Sequence, residues 1–243
     1  TEDFPADHGH HRGVFWAWHQ VHCGAVRLGD AWICEDFQWQ VESAQAALNS
    51  DGSATVSARI LWKSPKLTDA EGGLIAVVRE QTSITLYPAT SEYRQVDFDI
   101  HLQALMPDVR IGGSEDDKGY GGFSPRIRLS QDQVFLAADG EVEPTTAGIA
   151  AGEWMDISDP QWGMAILTHP ANPGYPQPWI LRRQRSMQNV VYPGRELTPL
   201  AMDRETRLRY RLLIHRGSNS GLDFAQLQQQ YSQDLPNRVR AAK

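Results

Sequence analysis

Cysteine is scarce in this chain: Cys23 and Cys34 are the only two among 243 residues. A disulfide-stapled scaffold is therefore excluded, and packed apolar side chains have to carry the stability. The two cysteines flank a turn-like Leu28-Gly29-Asp30, so a bridge across a hairpin and a pair of free thiols both stay open. No apolar run approaches the roughly 20 residues of a membrane-spanning helix. No basic run occurs and the formal net charge is -7, so neither a membrane nor nucleic acid is an expected partner. The chain begins at Thr1 without a signal-like apolar segment, which fits a removed leader or a trimmed chain. A periplasmic or secreted location is expected, with a cytoplasmic one as the alternative. Catalytic signatures are missing as well. The sequence has no Gly-x-Ser-x-Gly elbow, no His-Glu-x-x-His pair, no EF-hand loop and no phosphate-binding Gly-x-x-x-x-Gly-Lys run. The usual sequence grounds for a serine hydrolase, a zincin, a calcium switch or a nucleotide-binding loop are absent.

What is abundant is alternation. Ala54, Val56, Ala58, Ile60 and Trp62 alternate with polar residues, as do Val96, Phe98, Ile100 and Leu102, and Leu208, Tyr210, Leu212 and Ile214. This period of two marks half-buried strands. Further strands are expected over 14–18, 37–41, 74–86, 134–137, 164–169 and 179–182. Asp51-Gly52, Gly72-Gly73, Gly112-Gly113, Asp139-Gly140 and Pro193-Gly194 supply the turns. Residues 222–235 predict one helix, with Asp223 as its N-cap and Pro236 as its stop. The expectation is an all-β protein, an antiparallel β-sandwich or barrel with one C-terminal helix, forming a single domain over 1–243.

The densest chemistry lies at the start, in Asp7-His8-Gly9-His10-His11-Arg12-Gly13. Imidazole titrates near neutrality and ligates metals. On a strand His8 and His10 would share a face, suited to acid–base work or to a divalent metal such as zinc. A metal would need a third ligand from His169, Glu80 or His215. Glu80 falls in register with the apolar face of its strand, where a carboxyl has to be paired or neutral, a setting suited to a general acid or base. Asp97, Asp99 and His101 line a polar strand face that is ordinarily solvated. His169 ends a strand and opens a proline-rich loop containing Asn172 and Trp179. Lys118 and Tyr120 lie in a glycine-rich loop over 112–122, read as flexible, and Arg126 begins the strand after it.

Asp-His-Gly-His-His-Arg-Gly-Val-Phe-Trp-Ala-Trp resembles the Asp-His-Pro-His-His-Arg-Gly signature of a bacterial family of unknown function, often labelled methane oxygenase PmoA-like. The resemblance continues through Lys118-Gly119-Tyr120-Gly121-Gly122-Phe123, Thr168-His169-Pro170-Ala171-Asn172-Pro173, Trp179 and His215-Arg216-Gly217. Gly9 replaces the usual proline. Family members carry strands ahead of the motif, so N-terminal strands of the fold are expected to be missing here. The resemblance implies a galactose-mutarotase-like, supersandwich-like antiparallel β-sandwich and sugar chemistry on a concave sheet; the oxygenase label does not fit a chain without a membrane segment. The expected function is a carbohydrate-active enzyme with a lyase or hydrolase step on a glycoside or oxidised sugar. Its alternatives are a non-catalytic carbohydrate-binding module and a metal-dependent sugar enzyme. His8, His10, Glu80 and His169 are the expected catalytic residues. His11, Arg12, Trp16, Lys118, Tyr120, Arg126, Asn172 and Trp179 are expected to bind a sugar or oligosaccharide.

Overall fold

The structure is a computed structural model describing residues 9–128, 130–145, 147–183, 187–217 and 221–234. The chain opens with β1 (Gly13–Trp18), β2 (Gln20–Cys23) and β3 (Val26–Gly29). Four long strands come next: β4 (Gln38–Leu48), β5 (Ala54–Thr68), β6 (Leu74–Leu86) and β7 (Tyr93–Ala104). They lead to β8 (Val109–Gly112), β9 (Gly121–Arg126), β10 (Val134–Ala137), β11 (Gly140–Glu141), β12 (Trp154–Ser158) and β13 (Gly163–Thr168). The last are β14 (Trp179–Ile180), β15 (Asn189–Val191), β16 (Thr198–Pro199), β17 (Thr206–His215) and α1 (Phe224–Gln233).

All pairings are antiparallel. One sheet of nine strands runs β11-β10-β12-β13-β17-β7-β6-β5-β4, and two sheets of four run β1-β9-β15-β14 and β16-β8-β2-β3. The alternation read from the sequence decides which way each strand faces. Phe98, Ile100 and Leu102 of β7 and Leu208, Tyr210 and Leu212 of β17 turn inward and are buried. The small sheets meet them there. Phe123 of β9 stacks on Tyr210 with ring centroids 4.2 Å apart, and Trp18 of β1 lies 5.5 Å from Trp62 of β5. Each such aromatic, fully withdrawn from water, contributes about 1.5–3 kcal/mol. The sandwich expected from the sequence is the observed architecture.

The small sheets do not cover the whole inner face. At its far end β4 is exposed along its length, with Leu48 at 85 % and Val41 at 58 %. On the other face of the large sheet, α1 packs Phe224 and Tyr231 against Trp154, Ala165, Leu167 and Leu213. Asp223 caps this helix by accepting from the Gln226 backbone N–H at 2.9 Å. Pro236, the expected stop, lies outside the described residues. Cys23 and Cys34 are both free thiols, so the hairpin bridge is not made. No helix among the described residues is long and apolar enough to cross a membrane.

Asp97, Asp99 and His101 do form an outward polar face, and β17 answers it with arginine. Arg211 grips Asp97 and Arg207 grips Asp99, each through two hydrogen bonds. His101 sits between Asp99 at 3.0 Å and Glu205 at 2.6 Å. Hydrogen bonding to Asp99 outweighs burial and, with help from Glu205, raises its pKa above the ordinary 6.5. The stabilisation is then full below pH 6.5 and is lost as the pH climbs through the raised folded value. In urea denaturation, His101→Gln is expected to lose most against the wild type below that pH, and the gap is expected to close as the pH rises. A gap that widens with rising pH would contradict the pairing.

Candidate functional site

The histidine motif leads into β1, and alternation along that strand sends successive side chains to opposite faces. Trp16 and Trp18 point into the core, while Phe15 points away from it. Across the β1–β9 ladder, Phe15 faces Ser124 and Gly13 faces Arg126. These residues therefore share the side of the small sheet turned away from the large one. His11 stacks flat on Phe15, ring centroids 4.3 Å apart, and Arg126 Nη1 reaches His11 Nδ1 at 3.5 Å.

A loop over residues 30–36 folds onto this side. Its ends pair through Asp30 and Glu35, each backbone N–H donating to the other's carbonyl at 2.9 Å. Gly29 precedes it because a Cβ there would collide with the Glu35 and Asp36 carbonyls. Cys34 and Asp36 are both held at positive φ, 60° and 52°. Left-handed backbone costs a non-glycine residue roughly 1–2 kcal/mol, so the loop keeps its shape against local preference. What it delivers is Trp32, which is 3 % exposed. The Trp32 carbonyl accepts from His10 Nε2 at 3.0 Å and from His11 Nε2 at 2.6 Å. A carbonyl only accepts, so both rings carry their proton on Nε2 and their lone pair on Nδ1 when neutral.

A third histidine joins them. His19 stacks on the Trp32 ring at 5.1 Å, and its Nδ1 donates to Asp30 Oδ2 at 2.8 Å. The other oxygen of Asp30 accepts from the backbone N–H groups of Trp32 and Ile33, at 2.9 and 3.2 Å. The carboxylate is thus fixed by the turn it caps, and it in turn fixes the imidazole. Nε2 of His19 is left as the working nitrogen, the arrangement of an oriented general base. The sequence by itself does not single out this pair for catalysis. A signal is present, because a histidine next to an inward tryptophan and an Asx turn after the next hairpin are both visible. Their contact is not.

Tyr120 closes the other side, its ring 5.7 Å from Trp32. Arg182 and Lys118 stand over it at 5.5 and 5.9 Å from the ring centre. Burial pushes the phenol above its ordinary value, while the Arg182 and Lys118 charges pull it back. Near neutrality it is a proton donor. The glycine-rich loop carrying it is not slack, as its composition suggests, but closed on itself. Ser114 N donates to the Tyr120 carbonyl at 2.8 Å, Tyr120 N donates to Ser114 Oγ at 2.9 Å, and Asp116 accepts from Ser114, the Lys118 backbone and Lys118 Nζ. Gly113 is required because a Cβ there would run into the Gly119 carbonyl.

The structure thus brings together His10, His11, Arg126, Lys118 and Tyr120 of the expected set. His8 lies outside the described residues. Arg12 is exposed, with Nε donating to the Gly9 carbonyl at 2.9 Å. Other expected residues lie in different layers. Glu80 faces inward beneath β1, accepting from Trp16 Nε1 at 3.0 Å, Trp62 Nε1 at 2.9 Å and Thr82 Oγ1 at 2.9 Å. β1 itself separates it from His11. Burial raises its pKa, and the three hydrogen bonds partly offset that rise. Trp16 is therefore committed to Glu80. Trp179 is fully buried, its indole N–H donating to the Gly152 carbonyl, and cannot stack on a sugar. His169 and Asn172 sit on the helix side of the large sheet, bound to Arg209. His215 is paired with buried Asp156. Among the described residues, no three His, Cys, Asp or Glu side chains converge to hold a metal, so the third ligands considered for zinc do not assemble here.

A family model described as a family of unknown function, DUF6807, matches residues 1–229. The match bears on the family alone and gives no support to the oxygenase label. No curated protein matches the chain.

Glu80→Ala would strand the indole N–H groups of Trp16 and Trp62. Each donor left without a partner costs about 1–3 kcal/mol, so the unfolding free energy in urea is expected to fall by roughly 2–6 kcal/mol in total. Glu80→Gln keeps an acceptor and should lose clearly less. Equal, small losses in both variants would remove the structural role given to this carboxyl.

Proposed function

The chain belongs to DUF6807, a family whose function is unknown, and we propose that it is a carbohydrate-active enzyme performing an elimination, a lyase step, on an oxidised sugar at the Trp32 site. The observation that carries this reading is the His19–Asp30 pair stacked on Trp32 with Tyr120 on the same indole. A base oriented by a carboxylate, with a protonated phenol on the same indole, is equipment suited to proton abstraction next to a carbonyl. Hydrolysis of a glycoside would ask for two cooperating carboxyl groups instead. The carboxylates at this site are otherwise engaged, Asp30 with His19 and Asp116 with Lys118.

In the proposed step His19 Nε2 takes the proton from the carbon beside the sugar's carbonyl or carboxylate. The electron pair forms a carbon–carbon double bond, the bond to the departing oxygen breaks, and Tyr120 gives that oxygen its proton. Arg182 and Lys118 hold negative charge on the oxidised group as it builds up, since fixed cations in a partly buried site act strongly there. His10 and His11 are positioning residues that hold Trp32 through its carbonyl, with Arg126 behind His11. A plain binding module is less well supported, because Trp32 is too buried to present a stacking face.

The test is turnover of uronate-containing and 3-keto glycosides, monitored by the ultraviolet absorbance of the conjugated product. His19→Gln and Tyr120→Phe are each expected to lower kcat by about 10²–10⁴-fold while leaving the fold intact by circular dichroism. Asp30→Asn is expected to lie between them and the wild type. A wild type inert on all such substrates, or variants that turn over as it does, would overturn the proposal.

A further inference from the structure

The His-Pro-Ala-Asn run at 169–172 stands on the opposite side of the molecule, and the elimination at Trp32 does not use it. The structure shows what this run holds. Asn172 clamps the backbone of Arg209 from both sides, its Nδ2 donating to the Arg209 carbonyl at 2.8 Å and its Oδ1 accepting from the Arg209 N–H at 2.7 Å. His169 Nδ1 accepts from the Ala171 N–H at 3.0 Å and from Arg209 Nη2 at 2.8 Å. Both clamping residues are buried, His169 at 5 % and Asn172 at 4 % exposure. The edge of the Tyr231 ring, from α1, closes over His169 at 5.2 Å.

This is careful support for one guanidinium, and that guanidinium has no acid to hold. β17 presents three arginines on this face. Arg207 is taken by Asp99, and Arg211 by Asp97 and Asp234. Arg209 stands opposite Asp99 in the β7–β17 register, yet the Asp99 carboxylate is already spent on Arg207 and His101. Among the described residues, the only side-chain partner of the Arg209 guanidinium is His169. That ring is neutral: burial, then the charges of Arg209 and Arg207, push its pKa down to about 4. Its Nε2 is buried and makes no hydrogen bond of normal geometry. Arg209 is itself half-buried, and burial and Arg207 together work against its charge. Tyr231 and Asp99 offset part of this, but among the described residues they make no ion pair with Arg209. A partly desolvated cation held by neutral hydrogen bonds gains from an anion more than a solvated surface arginine does.

We propose that Arg209, oriented by His169 and Asn172, is the receptor for an oxyanion, a carboxylate or a phosphate group, at a second site on the outer face of the large sheet. The guanidinium fork matches either group through paired N–H donors. The proposal does not depend on the chemistry at Trp32.

Titration of the whole chain with inorganic phosphate and, separately, with glucuronate tests it, read by calorimetry and by the Nε–H resonances of the arginine side chains. Saturable binding of either anion is expected, with one arginine resonance shifting. Binding of phosphate alone identifies the source as a phosphate group, and binding of glucuronate alone identifies a carboxylate. Arg209→Gln is expected to weaken binding by roughly 10- to 100-fold, the worth of charge-assisted hydrogen bonds. Arg209→Lys, which keeps the charge and loses the fork, is expected to fall between the two and to leave turnover at the Trp32 site unchanged. Should Arg209→Gln not fold, the resonance that shifts in the wild type and is missing in Arg209→Lys decides the matter. Absence of saturable binding, or equal binding by wild type and variants, would overturn the proposal.

Discussion

Glu80 sets the geometry on which the rest hangs. Its carboxyl lies on the inner, apolar face of the large sheet, where leaving it unpartnered would cost several kcal/mol. The available donors are two indole N–H groups and one hydroxyl, and one of the indoles, Trp16, belongs to the opposing sheet. Burying the carboxyl therefore fixes where β1 lies over β6. The adjacent residue, Phe15, is turned the other way and carries His11 on its ring. The inner constraint and the outer site are two sides of one strand.

The two polar regions of the molecule hold their charged groups differently. On the outer face of the large sheet, Arg207 and Arg211 are neutralised by carboxylates on neighbouring elements, while Arg209 is held by His169 and Asn172. At Trp32, backbone groups share the holding with side-chain pairs: one carbonyl takes two imidazole protons and two amides take one carboxylate oxygen, while Asp30 holds His19 and Asp116 holds Lys118. Asp30 orients the His19 imidazole, and burial holds the Tyr120 phenol above its ordinary value beside Arg182 and Lys118.

Much of this architecture is legible in the sequence. Alternation yields the inner residues of β5, β7 and β17, capping chemistry yields the helix with its Asp223, and Glu80 stands out as an anomaly on an apolar face. The histidine motif and the Lys-Gly-Tyr loop, both stretches of the family resemblance, meet at Trp32. Period two assigns a residue to a face, however, and does not say which sheet that face meets. Glu80 groups with His10 as a carboxyl on an apolar face, and His169 as a histidine at a strand-to-loop junction; neither signal fixes the layer. In the fold β1 lies between Glu80 and His11, and His169 lies on the helix side of the large sheet. The His19–Asp30 contact stays hidden for a related reason. It depends on how the 30–36 loop folds back, which two left-handed, non-glycine residues decide and no propensity announces.

The sheet that carries the Trp32 site is assembled from distant parts of the chain. Among the described residues β1 pairs only with β9, about 100 residues later, and Trp18 reaches across to the Tyr192 carbonyl. At a synthesis rate of roughly 5–20 residues per second, β1 waits on the order of 5–20 s on the ribosome for its partner. During that time β1 has no strand to pair with, although Trp62, Glu80 and Phe98, which Trp18 and Trp16 meet in the fold, are already made. The large sheet's consecutive hairpins β4 to β7 can form meanwhile, so the nascent chain exposes its aromatic first strand beside a half-built sandwich. A chaperone acting on this protein would find its binding segment there, and the site would be the last region to become functional.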